Sequence, residues 1–242
     1  MSARAAPMFK VGGVVRTLLR QVSTILILAG LMLLADVGLT LVWQEPVSKL
    51  YADWRQDALA DDLEDLSDPH LRPAEVKALE RLPLDSERAA FLARALKRRT
   101  DVGDAIGRIR IPEIGVNKVV VEGTDGGSLR KGPGHYPETP FPGIHGTVAI
   151  AGHRTTYGAP FNELDKLERG DEVVVEMPYG RFVYEVEREQ IVEPTATWVT
   201  RRVGHDRLVL TACHPKYSAA QRIVAFARLK RTEQLAWTSV RT

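Results

Sequence analysis

The chain has 242 residues, room for one domain of ordinary size plus appendages. Hydrophobic residues make up 44% and charged residues 26%, so its bulk is globular, and 33 Lys+Arg against 31 Asp+Glu leaves none of the basic excess that a general nucleic-acid binder needs. Its single cysteine, Cys213, excludes an intrachain disulfide scaffold and any zinc site built on several thiolates; a lone thiol is either a small buried hydrophobe or a nucleophile.

Arg4, Lys10, Arg16 and Arg20 precede any acidic residue. An apolar run follows from Val22 to Trp43, broken only by Asp36. At about 1.5 Å per residue, a helix over this run would span roughly 30 Å of hydrocarbon. The basic flank predicts a cytoplasmic segment over 1–21, a transmembrane anchor over 22–43 and everything beyond outside the cell. A cleaved signal peptide would need a shorter apolar core and a small-residue cleavage site, which the stretch from Leu41 to Pro46 does not supply. Asp36 falls toward the outer half of the span, where a carboxylate is better tolerated than at mid-bilayer.

Residues 44–102 read as a helical extracellular stalk. Leu50, Trp54, Ala58, Leu63 and Leu66 recur at mostly helical spacing, with acidic residues filling the other face. A second helix is expected over 74–82, ended by Pro83, and a third over 86–99 with Asp85 as its N-cap. A spacer holding the next domain off the membrane is the simpler reading; an arm folded over an active site is the other.

From Ile106 short β-type runs alternate with Gly, Pro and Asn/Asp, and a domain over 103–232 is expected, followed by a tail over 233–242. Strands are predicted over 106–112, 117–123, 146–152, 171–177, 181–189, 206–213 and 221–229, with 198–201 as an eighth, and a tight hairpin turn at 178–179. Helical turns are expected near 126–132 and 159–167. The pattern is that of an all-β closed barrel or sandwich.

Cys213 ends one apolar strand, His153 directly follows another, and Arg222 opens the last. If the strands bearing Cys213 and Arg222 pair as an antiparallel hairpin, the two side chains oppose each other, roughly 5 Å apart at Cβ. A thiolate is the attacking species of cysteine chemistry, an imidazole can exchange its proton with thiol and leaving amine, and a guanidinium is a permanent donor to a developing oxyanion. Together they describe acyl transfer through a thioester. His214 adjoins Cys213, but strand neighbours point to opposite faces, which favours His153 as the base. His135, His145 and His153 lack the spacing of a metal motif, and the Gly-rich 123–134 stretch lacks that of a phosphate loop, so no metal and no cofactor are expected.

At these residues the sequence resembles the sortases, membrane-anchored cysteine transpeptidases of Gram-positive surfaces. The stretch 209–222 (VLTACHPKYSAAQR) matches their cysteine and arginine motif, and 151–161 (AGHRTTYGAPF) supplies the histidine. With 132–143 (GPGHYPETPFPG), the wording is most similar to class E sortases of actinobacterial type. Two positions depart from the family motif: Val209 and Ala212 stand where it has threonines, while Leu210 keeps its place.

The resemblance implies an eight-stranded barrel outside the cell that binds a C-terminal LPxTG or LAxTG sorting signal. Cys213 would attack the Thr–Gly carbonyl, His153 would act as acid and base, and Arg222 would steady the oxyanion. Tyr157, Leu210, Thr211 and Ala212 would contact the signal. The partners implied are surface proteins bearing that signal, a peptidoglycan-precursor amine as acceptor, and the lipid bilayer. Two other readings stand beside it: an L,D-transpeptidase-like acyltransferase, whose Ser-His-Gly-Cys-Arg signature is missing here, and a membrane-tethered binding module with a structural cysteine.

Overall fold

The computed structural model describes residues 11–43, 46–66 and 71–233; the expectations for residues 1–10 and for the tail beyond Glu233 lie outside them. The chain forms two compact units, one ending at Pro46 and one beginning at Val47. The first is a single helix, α1 (Val11–Trp43). Its most apolar stretch, Arg16–Gly38, has a mean hydropathy of 2.0 and is long enough to cross a membrane. Ile25, Leu26, Met32 and Leu34 lie exposed along it, so it is a candidate membrane span by length and composition.

In the second unit eight strands close into a barrel in the order β1-β2-β3-β4-β7-β8-β6-β5. They are β1 (Ala105–Ile111), β2 (Val116–Glu122), β3 (Gly134–His135), β4 (Thr147–Ala151), β5 (Glu172–Met177), β6 (Gly180–Val192), β7 (Arg207–His214) and β8 (Gln221–Glu233). Seven match the predicted runs because alternating side chains face a common interior: Ile109, Ile111, Val120, Ile150, Val173, Phe182, Tyr184, Leu208 and Ala225 meet in one core. The β5–β6 link is the expected tight turn, with Met177 opposite Gly180.

The eighth strand is not the one predicted. Residues 197–200 form a 3-10 turn, with Val199 as its buried anchor. The barrel is instead completed by β3, two residues that pair parallel with Val121 and Glu122 of β2 and antiparallel with Ile150 and Ala151 of β4. Gly134 is required there, since a Cβ would come within 2.1 Å of the Gly123 carbonyl oxygen.

The helices before the barrel are α2 (Pro46–Asp65), α3 (Pro73–Glu80) and α4 (Asp85–Lys97). The segment read as a stalk belongs, from Val47, to the same compact unit as the barrel. Ala89, Leu92, Ala93 and Leu96 of α4 join the main core, and Leu59 of α2 packs with Ala105, Val119 and Val121. Asp85 is the first helical residue and not the cap; Leu84 holds the cap position without a side-chain hydrogen bond, and Asp85 with Glu87 complements the positive end of the helix dipole. A short α5 (Gly126–Lys131) is capped by Asp125, whose carboxylate accepts the Gly127 and Ser128 N–H groups.

One contact ties α2 to the barrel in the manner of a strand. The buried Gln56 amide accepts the Val119 N–H (2.7 Å) and donates to the Val119 and Lys131 carbonyls (3.0 and 2.9 Å). A side chain thus satisfies backbone groups of β2 beyond the reach of short β3. Gln56→Ala strands buried peptide groups and is expected to lower unfolding free energy by about 2–4 kcal/mol, measured by urea denaturation.

Candidate active site

β4, β7 and β8 are consecutive in the barrel. β4 and β7 run parallel with Ala151 opposite Thr211, and the Gly152 N–H continues the ladder to the Thr211 carbonyl (3.0 Å). His153 follows at once, so the register sets it level with Cys213. β7 and β8 run antiparallel with Cys213 opposite Arg222. The three residues therefore stand on three adjacent strand ends at one rim.

Alternation decides which way they face. Leu208, Leu210 and Ala212 of β7, and Ile223, Ala225 and Ala227 of β8, fill the barrel interior. Val209, Thr211 and Cys213, with Arg222, Val224 and Phe226, take the outer face. That face carries a second apolar cluster of Ala149, Val192, Val199, Val209, Val224 and Phe226, with Tyr136 and Ala196 packed against it. The Tyr136 hydroxyl hydrogen-bonds Thr211 Oγ1 at 3.0 Å. This cluster is buried beneath the β6–β7 connection, so the outer face of β7 is covered as far as Thr211 and opens at Cys213.

This geometry corrects two expected substrate contacts. Leu210 and Ala212 are 1% and 3% exposed inside the barrel, so neither side chain reaches a ligand on the outer face. Thr211 faces outward but is buried, and its hydroxyl is engaged by Tyr136. Tyr136 lies in the 132–143 stretch, yet nothing in its spacing marked it out. Its role comes from β3, which was itself unreadable.

Cys213 is partly buried. His153 Nε2 is buried and has no hydrogen-bond partner among the described residues. The ring lies 5.1 Å from that of Tyr157. Burial, with the nearby Arg130 cation adding to it, pushes the imidazole pKa below its usual 6.5 and favours the neutral ring. Arg130 also sits 5.9 Å over the Tyr157 ring, a neighbour no motif announced. Arg222 Nη1 donates to the Ala219 and Gln221 carbonyls (3.0 and 2.9 Å), which orients the guanidinium and leaves Nε and Nη2 as further donors.

Backbone strain gathers in the same loops. Tyr157 (φ 51°), Ala159 (φ 40°) and Tyr217 (φ 65°) are left-handed non-glycine residues, each costing about 1–3 kcal/mol. The start of α2 abuts the first of these. The Tyr157 N–H donates to Ser48 Oγ (3.2 Å), and Tyr51 meets the Tyr157 ring edge-on at 6.5 Å. The other histidines named from the sequence serve elsewhere. His135 is buried between Glu122 (2.7 Å) and Thr139 (3.0 Å), and His145 pairs with Asp206. A cavity of about 730 Å³ opens between α2, α4 and the start of β1, lined by Leu59, Leu92, Leu96 and Tyr179, and includes none of the three rim residues.

The family model for the sortase domain matches residues 109–230. The chain belongs to the sortase family. Sortase D of Bacillus subtilis is 36% identical over 118 residues, 48% of this chain and 58% of its own length. A second relative, sortase SrtE2 of Streptomyces coelicolor, is 28% identical over 154 residues, 56% of this chain and 60% of that protein. The chain thus spans less than two thirds of these curated sortases. Among solved structures, sortase E from Streptomyces avermitilis is 35% identical with a TM-score of 0.52, covering 55% of this chain and 93% of that one. A sortase D5 transpeptidase from Clostridium perfringens shares the fold at a TM-score of 0.57 and 24% identity over 73% of this chain and 99% of that one. Relatives of both the D and E groups are therefore represented.

The depressed His153 pKa has a consequence for stability. A folded-state value below the unfolded one means that the unfolded chain binds the proton more readily. The neutral ring's contribution is whole above 6.5 and is lost as pH falls from there through the lowered folded value. His153→Gln is expected to flatten the fall in stability between about pH 7 and pH 5, measured by urea midpoints at each pH.

Proposed function

We propose that this sortase is a cysteine transpeptidase that cleaves a C-terminal LPxTG- or LAxTG-type sorting signal between Thr and Gly and transfers the acyl group to a peptidoglycan-precursor amine. The observation that carries the reading is the convergence of Cys213, His153 and Arg222 on adjacent strand ends. The Cys213 sulfur attacks the Thr carbonyl carbon as His153 takes the thiol proton. The oxyanion that forms lies on the Arg222 side of the nucleophile, where a fixed cation favours it. Collapse breaks the C–N bond, the leaving glycine amine takes the proton from His153, and a thioester remains on Cys213. An incoming amine repeats these steps in reverse; water in its place gives hydrolysis.

The signal approaches Cys213 over the half-buried Tyr136 and the 193–206 connection, which covers Val209, with Tyr157 at its cleavage end. The neutral state favoured at His153 suits a base that accepts the thiol proton during attack. The apolar helix α1 anchors the enzyme with its N-terminus in the cytoplasm and the barrel outside, where surface proteins and wall precursors meet it. The test is to incubate the full chain in detergent with LPxTG and LAxTG peptides, with and without an amine acceptor. Trapped thioester by intact mass and amine-dependent ligated product support the proposal. Absence of both with every peptide overturns it.

A further inference from the structure

The loop between β4 and the 3-10 turn at Leu164–Lys166 carries His153 at its start and two left-handed non-glycine residues in its middle. Such a loop keeps one conformation only if its surroundings fix it more strongly than the strain resists. The contacts that do so converge on the backbone next to His153. The Phe161 N–H donates to the His153 carbonyl (3.1 Å). Asn162 Nδ2 donates to the Arg154 carbonyl (2.8 Å), and Arg154 Nε returns a bond to the Asn162 carbonyl (2.6 Å). Arg154 is only 2% exposed, and its Nη2 pairs with Asp165 at 2.9 Å. Gly152 admits the Phe161 ring so closely that a Cβ would lie 2.5 Å from it.

Asn162 also reaches outside its own loop. Its Oδ1 accepts from Lys216 Nζ (2.9 Å), in the β7–β8 connection just past Cys213. One amide therefore spans the segment that follows the base and the segment that follows the nucleophile. A planar amide with donor and acceptor at fixed separation suits that task.

We propose that Asn162 is a positioning residue that sets the His153 backbone against the Cys213 strand end, gripping Arg154 with its N–H and Lys216 with its carbonyl. The proposal rests on the transpeptidase reading above. The Arg154 arm dominates, because it is the less exposed of the two and is reciprocated; the Lys216 arm is exposed and worth less.

The test uses the full chain in detergent, with Asn162→Ala, Asn162→Asp and Lys216→Met. Displacement of a catalytic group by about 1 Å can cost 100-fold. Asn162→Ala is expected to lose about 10- to 100-fold in kcat with KM nearly unchanged. Asn162→Asp keeps the Lys216 acceptor but sets a carboxylate oxygen against the Arg154 carbonyl, and is expected to fall as far. Lys216→Met is expected to lose less than about 5-fold, and no more when added to Asn162→Ala.

The readout that a merely structural role would not move is the His153 ring signal in ¹⁵N-histidine spectra, assigned with His153→Gln. It should shift or split in both Asn162 variants below their melting temperatures. Unchanged kcat and unchanged His153 signals would overturn the proposal. If Asn162→Ala does not fold, Asn162→Asp decides by the same readings. If the unsubstituted chain forms no thioester, the transpeptidase reading fails, and the ring signals alone judge the positioning claim.

Discussion

Cys213→Ala is expected to bring cleavage of the sorting peptide to the limit of detection and to remove the thioester mass altogether. No other thiol exists in the chain to replace it. His214, the adjacent residue, points to the opposite face of β7, and Thr211 has its hydroxyl engaged by Tyr136. Folding should survive, because Cys213 stands at a strand end outside both apolar clusters that line β7, and the β7–β8 ladder pairs through backbone. The variant's melting temperature should therefore stay within a few degrees of the parent, which separates loss of chemistry from loss of structure. Cys213→Ser gives a sharper comparison. A hydroxyl at the same place is far less acidic than a thiol, so it should retain substrate binding, seen by peptide titration, without accumulating an acyl-enzyme. Turnover near the parent rate in Cys213→Ala would falsify the mechanism.

The second large effect is expected at His153. His153→Ala should lower kcat by about 10²–10⁴-fold, the range typical of a general acid–base, while peptide affinity changes little. Both half-reactions need the same proton carrier, so acylation and aminolysis should fall together in single-turnover quench experiments. Arg222→Ala should act differently. Removing an oxyanion donor costs about 10²–10³-fold in kcat and leaves the proton path intact, so the acid limb of the pH–rate profile should persist in that variant and vanish with His153. Arg222→Lys keeps the charge but loses the planar fork that donates to two backbone carbonyls while keeping further N–H groups for an oxyanion, and should recover only part of the rate.

Much of the fold was readable because short apolar, β-branched runs bounded by Gly, Pro and charged residues are a strong local signal. β5, β7 and β8 carry such runs, buried almost continuously because both strand faces are covered there. β3 could not be read, because two residues have no period and their pairing depends on neighbours distant in sequence. The 197–200 segment failed for the complementary reason. Its Trp and Val looked like strand residues, but Val199 packs as one plug beneath a turn. The helices before the barrel resembled a spacer because alanines and polar residues make up most of their buried positions. Ala89, Ala93 and Ala95 are weak as a core pattern and informative only once the barrel they lie against is known.

At the site, the residue types and their order were legible, and the register of β4, β7 and β8 brings them level. The parity argument used to set aside His214 applies equally to Leu210 and Ala212, which alternate into the interior. Motif likeness assigned them to the substrate; pleat geometry assigns them to packing. Tyr136 and Arg130 left no trace in the sequence because each makes a fold-dependent contact with a residue distant along the chain, and Asn162 left none because its contacts with Arg154 and Lys216 exist only in the folded loop.

Holding the nucleophile on β7 by strand parity also restricts how the gene for this chain can change length. One codon gained or lost between Arg207 and Cys213 would turn the sulfur from the outer wall into the hydrocarbon interior, and a compensating change would have to fall within the same few residues. The stretches over 193–206 and 215–220 escape this arithmetic, since neither lies in the ladder. Insertions and deletions that spare the buried Val199 should accumulate over 193–206, diversifying the surface offered to different peptides, whereas over 215–220 they are restrained by the Lys216 contact and by the Ala219 carbonyl that orients Arg222.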